Sequence, residues 1–284
     1  MISGDKMTAP SRETYVVKIG GAAVDRGDVA DELMQQVKTC RDAGVRLVLV
    51  HGGGDRLTQV ASSLGVEAPF INGRRVTSDA LIDVAKMVFA GGVGTDLAAA
   101  AYRADLSAIA ISGVSAGLVE VVRRGPVQGV DYGWVGDVTQ VNTSLLWALL
   151  NAGLTPLVAS LGIDNQGFIY NVNADTIACR LAVALKADKL IILTGPDGVL
   201  RCIDDPLSRV DAIDATAILE NKLDFPVSGG MLPKLANLAA ATVEGVGAVH
   251  VASWRRPEVL AACLGDHTPP MGTRINAPRQ TAAY

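Results

Sequence analysis

The chain has 284 residues, 49% hydrophobic and 19% charged, enough to bury a large core as one domain or two closely joined lobes. Its 25 basic and 29 acidic side chains leave a net −4 with no long basic run, and aromatics are only 4%, which argues against nucleic-acid and anionic-membrane partners. No stretch holds the ~20 uninterrupted apolar residues of a membrane helix, Met1 to Arg12 lacks the apolar centre of a signal peptide, and Cys40, Cys179, Cys202 and Cys263 have no metal or disulfide spacing; a cytoplasmic protein with reduced thiols is expected.

Short β-rich runs alternate with helical patterns along the chain. Tyr15–Ile19 reads as a strand, 29–43 as an amphipathic helix ended by Gly44, 46–50 as a strand and 55–64 as a helix. A long helical pattern over 80–102 is interrupted around Gly91, Gly92 and Gly94, and a strand is expected at 107–111. Glycines and Pro126 among β-branched residues over 117–138 point to antiparallel hairpins. A helix at 145–151, strands at 155–160 and 168–170, a helix at 174–185 and a strand at 189–194 follow. A loop-rich hairpin at 198–209 leads to helices at 215–220 and 235–244, a strand at 248–252 and a helix at 258–263. This alternation implies an α/β protein with a mostly parallel sheet covered on both faces. The Gly-, Asn- and Asp-rich stretch 162–167 is the expected lobe boundary, and both ends read as loose tails.

Glycine-rich turns carry the chemistry. Lys18-Ile19-Gly20-Gly21 and His51-Gly52-Gly53-Gly54 each follow an apolar run, and Ser228-Gly229-Gly230-Met231-Leu232-Pro233-Lys234 precedes an alanine-rich helical stretch. Glycine lets backbone N–H groups approach an anion, and lysine adds a mobile positive charge, so a phosphate-bearing ligand is expected where strands end. No Walker A loop is present, and Gly92-Val93-Gly94 continues to Leu97 where a dinucleotide fingerprint needs glycine. Singly these pieces have plainer readings: Gly20-Gly21 as a tight turn, His51 as a structural histidine, Asp175 as a helix-start acid. Their order is what discriminates.

That order resembles the amino acid kinase family, and within it the acetylglutamate kinase branch, from about Tyr15 to Ile275. Gly73-Arg74-Arg75-Val76-Thr77 and Asn171-Val172-Asn173-Ala174-Asp175, with the Lys234 turn, carry the branch-level likeness. The resemblance implies a three-layer αβα sandwich and one kinase domain over residues 13–276. Its 13–165 lobe would bind the acyl amino acid and its 166–276 lobe the nucleotide, with flexible tails at 1–12 and 277–284. It implies transfer of a phosphoryl group from ATP, with Mg²⁺, to the side-chain carboxylate of N-acetyl-L-glutamate, a step of arginine biosynthesis.

By the same resemblance Lys18 and Lys234 hold the phosphoryl group, and Asp175 positions both ammonium groups. Arg75 clamps the substrate α-carboxylate, Asn171 bonds the acylated backbone, and Gly53 and Gly54 present N–H donors on the substrate side. Gly20, Gly21, Thr194, Gly195, Asp197 and Gly230 serve the nucleotide phosphates. Magnesium is expected on the phosphates and water, with no protein metal cage.

The chain departs from the branch in three places: Gly195 stands where an aspartate is usual, Gly94-Thr95 where Asn-Lys is usual, and Ser112-Gly113-Val114-Ser115-Ala116-Gly117 where Ser-Gly-Lys-Asp-Gly is usual. The runner-up readings are a kinase for carrier-protein-linked aminoadipate or glutamate, a kinase for another N-acylglutamate, and a non-catalytic sensor on the same fold. With a short, Pro10-containing segment before Tyr15, an arginine-insensitive homodimer is expected.

Overall fold

Period-2 alternation in the first strand sets the layout of the molecule. In the computed structural model, which describes residues 13–227, 231–256, 258–263 and 272–277, β1 (Thr14–Ile19) sends Tyr15, Val17 and Ile19 to one face. Val16 goes to the other, and Lys18, two residues on, follows it. β1 lies between β2 (Arg46–His51) and β11 (Lys189–Thr194), both parallel to it. Among the described residues the main sheet has eight strands in the order β12-β14-β13-β11-β1-β2-β8-β5, where β5 is Ala108–Ser112, β8 Thr155–Ala159, β12 Ala212–Asp214, β13 Ala248–Ser253 and β14 Thr273–Asn276. The β13–β14 pairing is antiparallel and the other pairings in this sheet are parallel.

Helices cover both faces. One face buries α2 (Gly27–Asp42), α3 (Gly54–Ser63), α4 (Asp79–Lys86) and α5 (Gly94–Arg103) through residues such as Leu33, Leu57, Leu81 and Leu97; the short α1 (Gly21–Val24) leads into them. The other buries α6 (Ser144–Asn151), α7 (Ala174–Leu185), α8 (Ala215–Leu219) and α9 (Met231–Val243) through Leu146, Leu181, Ile218 and Leu238. Lys18 therefore emerges on the α7 and α9 side. A smaller sheet, β10-β9-β6-β7, and the hairpin β3 (Phe70–Ile71)–β4 (Arg74–Arg75) sit beside the main sheet. Here β6 is Val119–Arg123, β7 Gly136–Val141, β9 Leu161–Ile163 and β10 Ile169–Asn171. The antiparallel β6–β7 pair fulfils the hairpin expectation for 117–138.

Several expectations are corrected. The glycines at 91, 92 and 94 do not break the long helix: Met87–Val93 widens into a π-helical segment that joins α4 to α5 without a gap. The joined helix, Asp79–Arg103, matches a bilayer in length and apolarity, yet it is half buried inside the protein and packs against α2 and β5. A helix at 258–263 is replaced by a turn and a 3₁₀ segment at Ala261–Cys263, because Glu258 adopts φ 60°, outside the right-handed helical region. β9, β12 and β14 were not legible: each has three or four residues, too few to show a period. The stretch 162–167 carries part of β9 and the turn into β10. Of the expected tails, all but Ala277 lies outside the described residues, as does Gly230.

Candidate active site

Two strand ends and two helix starts converge. Because β1 and β2 pair in register through Ile19 and His51, the glycines that follow them meet: a Cβ on Gly21 would stand 3.7 Å from the Gly54 nitrogen. Gly53 has φ +151°, and a side chain there would approach Val93 Cγ2 to 2.9 Å, so the turn needs glycine on both counts. Gly20 admits no Cβ either, which would stand 2.9 Å from the Leu193 carbonyl oxygen; the observed constraint on it is packing against β11. His51 is fully buried with Nδ1 3.1 Å from the Gly52 carbonyl, and burial lowers its pKa to about 4, so it stays neutral and structural.

Asp175 stands at the centre. It lies in the first turn of α7, where the Asn173 side chain accepts hydrogen bonds from the Asp175 and Thr176 backbone N–H groups at 2.8 and 3.3 Å. One carboxylate oxygen meets Lys18 Nζ at 2.9 Å and the other meets Lys234 Nζ at 2.8 Å. All three side chains are nearly withdrawn from solvent. Burial alone would raise the Asp175 carboxyl, but the pull of the two ammonium groups and their hydrogen bonds outweighs it and lowers the pKa to about 2. Lys18 is lowered, by burial first and by repulsion from Lys234, while Asp175 opposes the shift. A hydrogen bond of 3.1 Å from Asn237 Nδ2 to Thr176 Oγ1 ties α9 to α7 beside the triad.

A cleft of about 250 Å³ opens from Lys18 past Gly21, Gly53, Gly54, Arg75, Asn171 and Asp175. A second cleft, along Pro233, Lys234 and Asn237, shares Asp175 and Arg74 with it. Arg75 is buried on β4 and donates to Ala68 O at 3.1 Å, Gly54 O at 2.9 Å and Thr58 Oγ1 at 2.9 Å, stacking over Phe70 at 4.3 Å. A guanidinium has five N–H donors, so part of the expected carboxylate fork is already committed to positioning the Gly54 turn. Asn171 ends β10 and donates to Thr77 Oγ1 at 3.1 Å.

The structure thus brings Lys18, Gly21, Gly53, Gly54, Arg75, Asn171, Asp175 and Lys234 together. Thr194, Gly195 and Asp197 line neither of these two clefts, although Thr194 ends β11 beside Gly20, where a Cβ would stand 3.9 Å from the Thr194 Cα. There the Ser253 hydroxyl donates to Gly195 O at 2.7 Å, and Arg256 Nε donates to both oxygens of Asp197 at 3.0 Å. Asp197 borders a separate small cleft with Arg209 and Arg256. Sequence reasoning missed Arg74, Arg124, Asp137, Ser160 and Asn173 in the clefts. Arg74 and Asn173 lie inside quoted motifs, whereas Arg124, just after β6, and Asp137, on β7, carry no sequence signal.

The model of the amino acid kinase family matches residues 13–253. This chain belongs to the amino acid kinase family. The acetylglutamate kinase of Myxococcus xanthus is 39% identical to it over 259 residues, 88% of this chain and 84% of that one. The solved structure of smu.665 from Streptococcus mutans UA159 is 30% identical, covers 93% of this chain and 99% of its own, and superposes with a TM-score of 0.74. The N-acetylglutamate synthase of Neisseria gonorrhoeae, solved with coenzyme A and N-acetyl-glutamate, shares the fold at a TM-score of 0.78 and 24% identity; this amino acid kinase spans 60% of that chain.

Proposed function

We propose that this kinase phosphorylates the side-chain carboxylate of N-acetyl-L-glutamate with ATP, giving an acyl phosphate for arginine biosynthesis. The observation that supports it most is the Lys18–Asp175–Lys234 bridge, with its two ammonium groups held 2.9 and 2.8 Å from one carboxylate. An anionic acceptor must approach a polyanionic nucleotide, so the protein's contribution is positioning and positive charge rather than covalent chemistry. Asp175 keeps both ammonium groups aimed at one place, and the Gly21, Gly53 and Gly54 turns supply close backbone approach. Arg75 and Asn171 hold the acceptor. Thr194, Gly195, Asp197 and Gly230 serve the nucleotide side in this reading, in a lobe that runs from 166 to 276.

Among the described residues no three His, Cys, Asp or Glu side chains converge as a metal site. In this reading magnesium is held by the nucleotide's own phosphates and water. A cytoplasmic setting and an arginine-insensitive homodimer belong to the same reading; sedimentation with and without arginine tests the latter, and arginine-dependent rings would refute it.

The activity is tested with purified protein, Mg-ATP and hydroxylamine trapping of the acyl phosphate, across free and acylated acidic amino acids. Trapping with N-acetyl-L-glutamate is expected. Trapping only with carrier-linked glutamate or aminoadipate, or with none, would sink the reading.

A further inference from the structure

Lys18, Lys234, Arg75, Arg124 and Arg74 border the paired clefts. Among the described residues, all but Arg74 have a side-chain hydrogen-bond or ion-pair partner. Asp175 answers both lysines. The Ala68 and Gly54 carbonyls and the Thr58 hydroxyl occupy Arg75. Asp137 takes Arg124 through Nε at 3.0 and 3.2 Å, with a further close contact from Nη2. Among the described residues Arg74 makes no side-chain hydrogen bond or ion pair.

It is also not a freely solvated surface cation. Its burial lowers its pKa, and the adjacent Arg124 lowers it further, with Asp137 and Tyr132 opposing. Two guanidinium groups thus face a single carboxylate, leaving one positive charge in excess on the cleft wall. A partly desolvated cation beside another cation is unfavourable unless an anion joins them. Arg74 and Arg75 are consecutive on β4, where neighbouring side chains leave the strand in different directions. Arg75 turns inward to the Gly54 turn, which leaves Arg74 to meet a different group of the ligand.

We propose that Arg74, backed by Arg124, is a specificity-determining anion contact for the acceptor, and that this kinase also takes N-acylglutamates whose acyl arm ends in its own carboxylate. The inference rests on the N-acylglutamate reading above and extends it to a class of triply anionic acceptors. Transfer itself is the same: a side-chain carboxylate oxygen forms the new P–O bond, the bond to the bridging oxygen of ATP breaks, and ADP leaves with that electron pair.

The test compares N-succinyl-L-glutamate with N-acetyl-L-glutamate in steady-state assays of the unaltered kinase and of Arg74→Leu and Arg74→Lys, with folding checked by thermal melting. The unaltered kinase should turn over both acceptors. In Arg74→Leu the ratio of kcat/KM for the succinyl over the acetyl acceptor should fall about tenfold, the scale of one charge-assisted contact, chiefly through KM. Arg74→Lys should recover part of the ratio. An unchanged ratio, or no turnover of the succinyl acceptor beside good turnover of the acetyl one, overturns the proposal. Equal losses on both acceptors with a raised KM for ATP would assign Arg74 to a nucleotide phosphate and overturn it too. Failure of the unaltered kinase with both acceptors defeats the N-acylglutamate reading itself, and this inference with it.

Discussion

Asp175 stays ionised in a nearly dry site because two ammonium groups within 2.9 Å outweigh the cost of burying it. The pair of lysines is as dependent on Asp175 as it is on them. Lys234→Ala should lower kcat by about a hundredfold, the scale for removing one preorganised donor. Full turnover in that variant would end the assigned role. Asp175 raises the Lys18 pKa against burial and Lys234, so Asp175→Asn should move the alkaline limb of the kcat–pH profile to lower pH. Stability follows the opposite end of the scale. A carboxyl at about 2 when folded, below the ~3.9 of an unfolded aspartate, contributes fully above pH ~4, and that contribution fades as pH falls toward 2. In Asp175→Asn this acid-side contribution should be absent from denaturant titrations.

The turn after β2 and the π-helical segment between α4 and α5 are one mechanical unit. Phe89 and Val93 are buried against Gly53, whose φ of +151° no ordinary side chain adopts easily. The π-helical segment Met87–Val93 carries glycines 91 and 92 as well as Phe89 and Val93. Gly53→Ala should therefore cost about 1–3 kcal/mol through forced contact with Val93 and Phe89, read as a lowered denaturation midpoint. It should also lower turnover, because the same turn presents Gly54 to the cleft. A variant as stable as the parent would show that the helix yields more readily than its packing implies.

Across the molecule, the parallel order of β11, β1, β2 and β8 aligns the ends of these strands on one edge, where the glycine turns meet. On the other side of the sheet β14 lies between β12 and β13. Thr273 is fully buried; its hydroxyl donates to Val210 O at 2.6 Å and accepts from Val199 N–H at 2.8 Å, tying the 199–210 loop to β14. Thr273→Val keeps the shape but strands both groups, at about 1–3 kcal/mol for each buried one. Urea titration should show the loss, and an unshifted midpoint would mean that the loop finds other partners.

The residues themselves specified the strand–helix alternation, the parallel sheet and the glycine turns of Lys18 and Lys234, because apolar periodicity and glycine-bearing motifs are local properties of the chain. The family likeness added Asp175, Arg75 and Asn171 to the expected site. Short strands such as β9, β12 and β14 escaped notice, since three or four residues have no measurable period and form only where neighbours offer a ladder. The family likeness had already given Asp175 both lysines, but the other charge pairings were hidden. That Asp137 answers Arg124 and that Arg74 has no partner among the described residues depends on distances between segments far apart in sequence. Only folding sets those distances, because Coulombic compensation depends on spatial separation and burial rather than on order along the chain.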